Sequence, residues 1–144
     1  MPSIDPQLLL QSVAQALETM AFIAVEPLEQ PLPEGLTQIT LAFQGPVSGT
    51  LAIRAPLTLG ALIAANLFAT DPAAPEALAQ AADALRELTN VTAGLILREL
   101  CTPEQMPQLD IPLAGPAGAA APGVCHAGLQ AEGQPLTIGL TLNT

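Results

Sequence analysis

The sequence predicts an α+β fold, a mainly antiparallel sheet with long helices packed on one face. Two long segments carry apolar residues at helical spacing, and several short runs alternate polar with apolar residues. Their order also repeats: helix then strands, a short helix, then helix and strands again. The chain has 144 residues, half of them hydrophobic, which suits one domain spanning 1–144 around one core. With 2% aromatic residues and no Trp or Tyr, that core must be built from Leu, Ile, Val, Ala and Met.

Asp5 followed by Pro6 reads as an N-cap with proline at the first helical position. Leu10, Val13, Leu17 and Met20 then continue a helix to about Phe22. Pro27 to Gly35 holds three prolines and reads as a loop or edge connection. Thr37–Phe43 and Val47–Ile53 alternate as strands, with turn chemistry at Gln44-Gly45-Pro46, so they predict a hairpin. Pro56 opens a short helix through Leu59, Leu62, Ile63 and Leu67, which Asp71 to Pro75 breaks. A second long helix is expected from about Glu76 to Leu100, and strands around Gln108–Pro112, Gly123–Gln130 and Leu136–Leu142. Ala114–Pro122, rich in Ala, Gly and Pro, reads as a flexible loop. Residues 16–21 in the first helix are weakly similar to residues 85–90 in the second long one, which suggests an internal duplication.

Charge excludes some function classes. Lys plus Arg is 3 against 13 for Asp plus Glu, a net charge of −10. Binding to nucleic acid or to an anionic membrane surface needs many cations, and this chain has almost none. Cys101 and Cys125 form no CxxC motif, and with His126 they fall short of a zinc ligand set, so two thiols in a reducing cytosol are expected. No positively charged leader and no membrane-length apolar run is present, which points to a cytoplasmic protein. Ser48 lacks the frame of a nucleophile elbow, and no phosphate-cradling Gly-rich loop occurs. His126 lies in a strand-like run and reads as structural.

The second long helix is the informative segment. At about 100° per residue, Leu85, Leu88, Val91, Leu95 and Ile96 gather on one arc with Ala84 and Thr92, the expected core face. Asp83, Glu87, Asn90 and Gly94 fall on the opposite side in one stripe. Asn competes for backbone hydrogen bonds in a helix, and a mid-helix Gly costs about 1 kcal/mol against Ala. The two acids have no Lys or Arg four positions after Glu87. Spacing alone leaves two readings, a solvated face or a docking face.

Asp83-x3-Glu87-x2-Asn90, followed by Gly94, resembles the Asp/Ser-x3-Glu-x2-Asn signature of the CheC/CheX chemotaxis phosphatases. Pro112 matches a proline of that family's next strand, Gly45-Pro46-Val47-Ser48-Gly49 is similar to its Gly-x-x-Ser-Gly stretch, and Leu17-Glu18-Thr19-Met20 resembles its first helix. The likeness runs from about Val13 to Leu142 and implies a pseudo-duplicated fold with two long helices and a shorter one on one face of the sheet. Two-site members carry ExxN in both long helices; here Ala21 stands where the first Asn would, so one site of the CheX type is expected.

The resemblance implies hydrolysis of the phospho-aspartate on a CheY-like response-regulator receiver domain, in chemotaxis or two-component signalling. Asn90 would orient the attacking water, and Glu87 would pair with the receiver's active-site lysine. Asp83 would support docking, and Gly94 would let the receiver backbone approach. No cofactor is expected on this chain, the Mg2+ being the receiver's. Two other readings stay open: a non-catalytic adaptor for a receiver or flagellar-motor component, and a purely structural dimer. The family includes dimers, and a sheet edge such as the last strand is expected to be free to pair with a copy of itself.

Overall fold

The computed structural model describes residues 4–118 and 125–143. Four α-helices, α1 (Pro6–Ala21), α2 (Leu57–Phe68), α3 (Pro75–Ala79) and α4 (Ala81–Leu100), accompany seven strands. The strands are β1 (Val25–Pro27), β2 (Thr37–Gln44), β3 (Ser48–Ala55), β4 (Gln108–Leu109), β5 (Leu113–Pro116), β6 (Cys125–Ala131) and β7 (Gln134–Asn143). They form one antiparallel sheet in the order β1-β6-β7-β3-β2-β4, with β5 also on β2. Exchanging β1 with β4/β5, β2 with β6 and β3 with β7 reproduces this order reversed. The helix–strand repeat in the sequence is therefore a pseudo-twofold in space, with its seam where β3 pairs with β7, Leu51 facing Leu140 and Ile53 facing Ile138.

One sheet face carries the apolar positions of the alternating strands: Ile39, Leu41 and Phe43 on β2, Leu51 and Ile53 on β3, and Leu136, Ile138 and Leu140 on β7. Leu9, Val13 and Leu17 of α1, Leu59 and Ile63 of α2, and Leu85, Leu88 and Ile96 of α4 join them in one core. The other face carries Gln38, Thr40, Thr50 and Arg54, and the Arg54 guanidinium donates to Gln38 Oε1 at 2.8 Å across the β2–β3 register. Asp5 caps α1 as expected, its carboxylate accepting from the Gln7 amide at 2.9 Å.

Several expected boundaries are corrected. The long helix from Glu76 is two helices, because Gln80 leaves helical geometry (φ −96°, ψ 1°). The bend folds Ala77 into a small apolar cluster with Ala61, Ala65 and Ala81, on the flank of α2. Pro27, expected in the loop, closes β1 opposite Leu129 at the sheet edge. The strand expected over Gln108–Pro112 stops at Leu109, and pairing resumes only at Leu113. Pro112 has no N–H to donate and sits buried at this interruption. The beginning of the expected flexible loop Ala114–Pro122 is thus β5, hydrogen-bonded to β2, while residues 119–122 lie outside the described residues. So do residues 123 and 124 of the third expected strand, whose described part begins at Cys125. The last strand is not a sheet edge: β7 is flanked on both sides, by β6 and β3, and the free edges are β1 and β4/β5.

Gly60 sets how closely α2 and α4 approach. A Cβ there would stand 2.3 Å from the Ala81 carbonyl oxygen and 3.0 Å from Leu85 Cγ. Because the obstacle is backbone, Gly60→Ala is expected to push the helices apart and cost about 2 kcal/mol, outweighing alanine's better helix propensity. Thermal unfolding followed by circular dichroism should show a Tm lower by roughly 6 °C.

Both cysteines are free; Cys101 is buried and Cys125 half-buried. Burial raises both thiol pKa values, and for Cys125 the Asp5 carboxylate adds to the rise. A thiol whose pKa is raised by folding favours the folded state at pH values below its unfolded pKa of about 8.5 and loses that contribution as pH rises through the folded pKa. Stability is therefore expected to fall between about pH 8.5 and the higher folded values. Replacing both thiols by alanine should remove this part of the pH dependence, as denaturant titrations would measure.

Candidate functional site

The 20-residue helix α4 spans the expected core face and the expected stripe. Asp83 in its first turn and Arg98 in its last complement the helix dipole. Ala84, Leu85, Leu88, Thr92 and Ile96 are buried, while Val91 and Leu95 are only half-buried, at the margin of the core. Thr89, Ala93 and Leu97 are buried in addition, because α1 and α2 also pack on this helix and widen its covered arc. Thr89 is buried without an unmet hydroxyl, since it donates to the Leu85 carbonyl at 2.9 Å. The Thr92 hydroxyl is buried with no partner among the described residues, at a desolvation cost of about 1–3 kcal/mol.

The remaining arc is open. Asp83 and Glu87 are exposed, and Asn90 and Gly94 half-buried. Offsets of four, three and four confine these residues to about 60° of the helix surface, over an axial length of about 16 Å. Apart from the adjoining backbone of α4, no described atom lies within 4 Å of the position a Gly94 Cβ would take, so this chain's own packing does not require glycine there. Among the described residues neither Glu87 nor Asn90 has a side-chain hydrogen-bond partner. A carboxamide and a carboxylate one helical turn apart thus face outward with their donors and acceptors uncommitted.

Arg86 is a neighbour that the stripe reading passed over. Its Nη1 donates to Asp83 Oδ1 at 2.5 Å, and both side chains are substantially exposed, which keeps the pair weak. The i,i+3 spacing of Asp83 and Arg86 is the sequence signal for it. Among the described residues Glu87 has no such cation.

The first helix has no equivalent constellation. Glu18 is exposed, but Ala21 is buried and ends the helix, and Phe22 turns into the left-handed region with φ 57°. The other sequence candidates stand apart from the stripe. His126 is exposed on β6 opposite Gly139, and Ser48 opens β3 opposite Asn143. No three His, Cys, Asp or Glu side chains converge as a metal site among the described residues. No helix among them is long and apolar enough to cross a membrane.

The fold recurs in solved structures. CheX from Vibrio vulnificus superposes with a TM-score of 0.73 at 17% identity, over 95% of each chain. CheX from Desulfovibrio desulfuricans gives 0.73 at 14% identity, over 95% of this chain and 97% of its own. A CheX–CheY–BeF3–Mg2+ complex from Borrelia burgdorferi gives 0.71 at 15% identity, over 99% and 100%. No curated protein sequence matches. The profile of the family described as chemotaxis phosphatase CheX matches residues 38–120, more than half of the chain and the whole of α4. With its pseudo-duplicated α+β fold and that match, the chain belongs to the CheX chemotaxis phosphatase family.

Proposed function

We propose that this chain hydrolyses the phospho-aspartate of a CheY-like response-regulator receiver domain, in chemotaxis or two-component signalling. The observation that carries the reading is the outward stripe on α4, where Glu87 and Asn90 stand one turn apart with no partner among the described residues. Membership of the CheX family supports it, and the Borrelia complex supports the choice of partner, since beryllofluoride mimics a phosphoryl group.

An acyl phosphate is already activated, so the main requirement is a water held in line with phosphorus. In the reaction the water oxygen bonds to phosphorus while the bond from phosphorus to the aspartyl oxygen breaks. The aspartate leaves as a carboxylate, and the water's proton passes to the departing phosphate or to solvent. The Asn90 amide accepts from and orients that water without bringing a charge against the phosphoryl oxygens. Glu87 would repel a bare phosphate, so its place is beside the receiver's lysine, where the two charges register the helix in the cleft. Asp83, held by Arg86, extends the docking face by one turn. Gly94 leaves the far end of the stripe free of side chain. The metal in this reading is the receiver's Mg2+, which neutralises phosphoryl charge from the partner's side.

Phosphate release from a panel of phosphorylated receivers tests the reading. Wild type should accelerate it for at least one receiver, and Asn90→Ala should lower the catalysed rate about 100-fold while binding to the beryllofluoride-loaded receiver changes little. Glu87→Gln should instead weaken binding, by about tenfold. Full activity in Asn90→Ala would overturn the assignment. Tight binding without acceleration would favour the adaptor reading.

Gly94→Ala should separate folding from docking. It removes a mid-helix glycine in open space, so the isolated protein should gain up to about 1 kcal/mol in denaturant unfolding. The same variant should bind the beryllofluoride-loaded receiver more weakly, and unchanged affinity would remove Gly94 from the docking face.

A further inference from the structure

Arg98 lies one helical turn beyond the stripe on the same helix. The offsets of four, three and four that join Asp83, Glu87, Asn90 and Gly94 continue with another step of four to Arg98. That step adds about 6 Å along α4 and leaves Arg98 about 20° outside the margin of the arc at Glu87. Its side chain is exposed. Gly94, one turn before it, contributes no side chain, so Asn90 and Arg98 stand about 12 Å apart along the helix with open space between them. The outer arc of α4 therefore changes character along its length: acidic at Asp83 and Glu87, neutral at Asn90, cationic at Arg98.

Of the three cations in the chain, Arg86 pairs with Asp83, and Arg54 donates to Gln38 on the other face of the sheet. Arg98 has no ion pair among the described residues. Gly94, Leu95, Cys101 and Thr102 occupy the places three and four positions before and after it, so no acid faces it along the helix. Glu99 follows it directly and is turned about 100° away. The helix dipole favours a cation in this last turn but sets no direction for its side chain.

The surroundings of Arg98 supply room and hydrogen-bond donors. Gln11, Ser12 and Gln15 of α1 line a groove of about 420 Å³ with Leu95, Arg98 and Glu99 of α4. A guanidinium, two amides and a hydroxyl against one carboxylate suit an acceptor such as an acidic side chain. The partner in the proposed reaction offers that chemistry. A receiver that holds Mg2+ binds it through oxygen ligands that include carboxylates, so its cleft is acidic. A chain of net charge −10 is repelled by such a surface as a whole, and Arg98 is the unpaired cation beside the docking arc that attracts it.

We infer that Arg98 is a further receiver contact, pairing at the mouth of the α1–α4 groove with a carboxylate that borders the receiver's cleft. The inference rests on the reading under Proposed function and deepens it. With Glu87 on a lysine and Arg98 on a carboxylate, a reversed helix would set like charges against each other, so the pair fixes the direction in which α4 enters. Receivers without an acid at this place would bind more weakly, which makes Arg98 a residue that selects among them.

With the receiver that responds best in the panel, Arg98→Gln should raise the concentration for half-maximal phosphate release about tenfold, while the rate at saturation holds. Affinity for the beryllofluoride-loaded receiver should fall equally, and this deficit should shrink at high salt, where the lost pair is screened. Arg98→Glu should lower affinity further, and Arg98→Lys should keep most of it. Arg54→Gln removes the same charge on the other sheet face and should change neither quantity. Wild-type affinity in Arg98→Gln overturns the inference, even with a lower Tm, because loss of the dipole interaction alone would lower Tm. An equal loss in Arg54→Gln overturns it too, since net charge would then explain both. Neither result touches the stripe, which full activity in Asn90→Ala would overturn. If no receiver in the panel binds, the proposed function fails and this inference with it.

Discussion

The pairing of β3 with β7 is the constraint from which the rest of the structure follows. It joins two halves of like topology, and the sheet outward from it repeats on both sides. The seam places Leu51, Ile53, Ile138 and Leu140 on one face, so that face must be covered by helices. A register slip of one residue between the two strands would turn the apolar pair of one strand away from that of the other and toward solvent. With α1, α2 and α4 all covering that face, α4 keeps one narrow arc free, and the free arc is the stripe from Asp83 to Gly94.

This explains how an unfavourable helix surface persists. The buried residues of α4 hold it in place, so its outer face need not favour helix formation. Asn90 and Gly94 each weaken an isolated helix, and Gly94 meets nothing in its own fold. Gly60 contrasts with it, since its missing side chain is filled by the Ala81 backbone. One glycine is fixed by internal packing, and the other faces open space.

Much of this was legible in the sequence where local chemistry and pattern agree. Asp5 and Pro6 fix the start of α1, and the alternation in Thr37–Phe43 and Val47–Ile53 appears as the β2–β3 hairpin with Ile39, Leu41, Leu51 and Ile53 inward. The stripe followed from helical spacing, and the family resemblance from the residues on it. What escaped depends on partners distant in the chain. Pro112 interrupts pairing with β2 and Gln80 bends the helix against α2, neither of which shows in local periodicity. The position of β7 between β6 and β3 is a matter of topology, which a terminal strand does not announce. Thr89 reads as polar in sequence, yet it is buried because its hydroxyl is satisfied within its own helix.

The central claim is that the outer arc of α4 enters another protein's active cleft. Backbone amide chemical shifts of the isotopically labelled chain, recorded with and without a beryllofluoride-loaded CheY-like receiver, test it most directly. The account requires the largest changes to run along α4 between Asp83 and Gly94. Changes confined to the β4/β5 edge or to the threonine-bearing face of the sheet, with α4 silent, would contradict it.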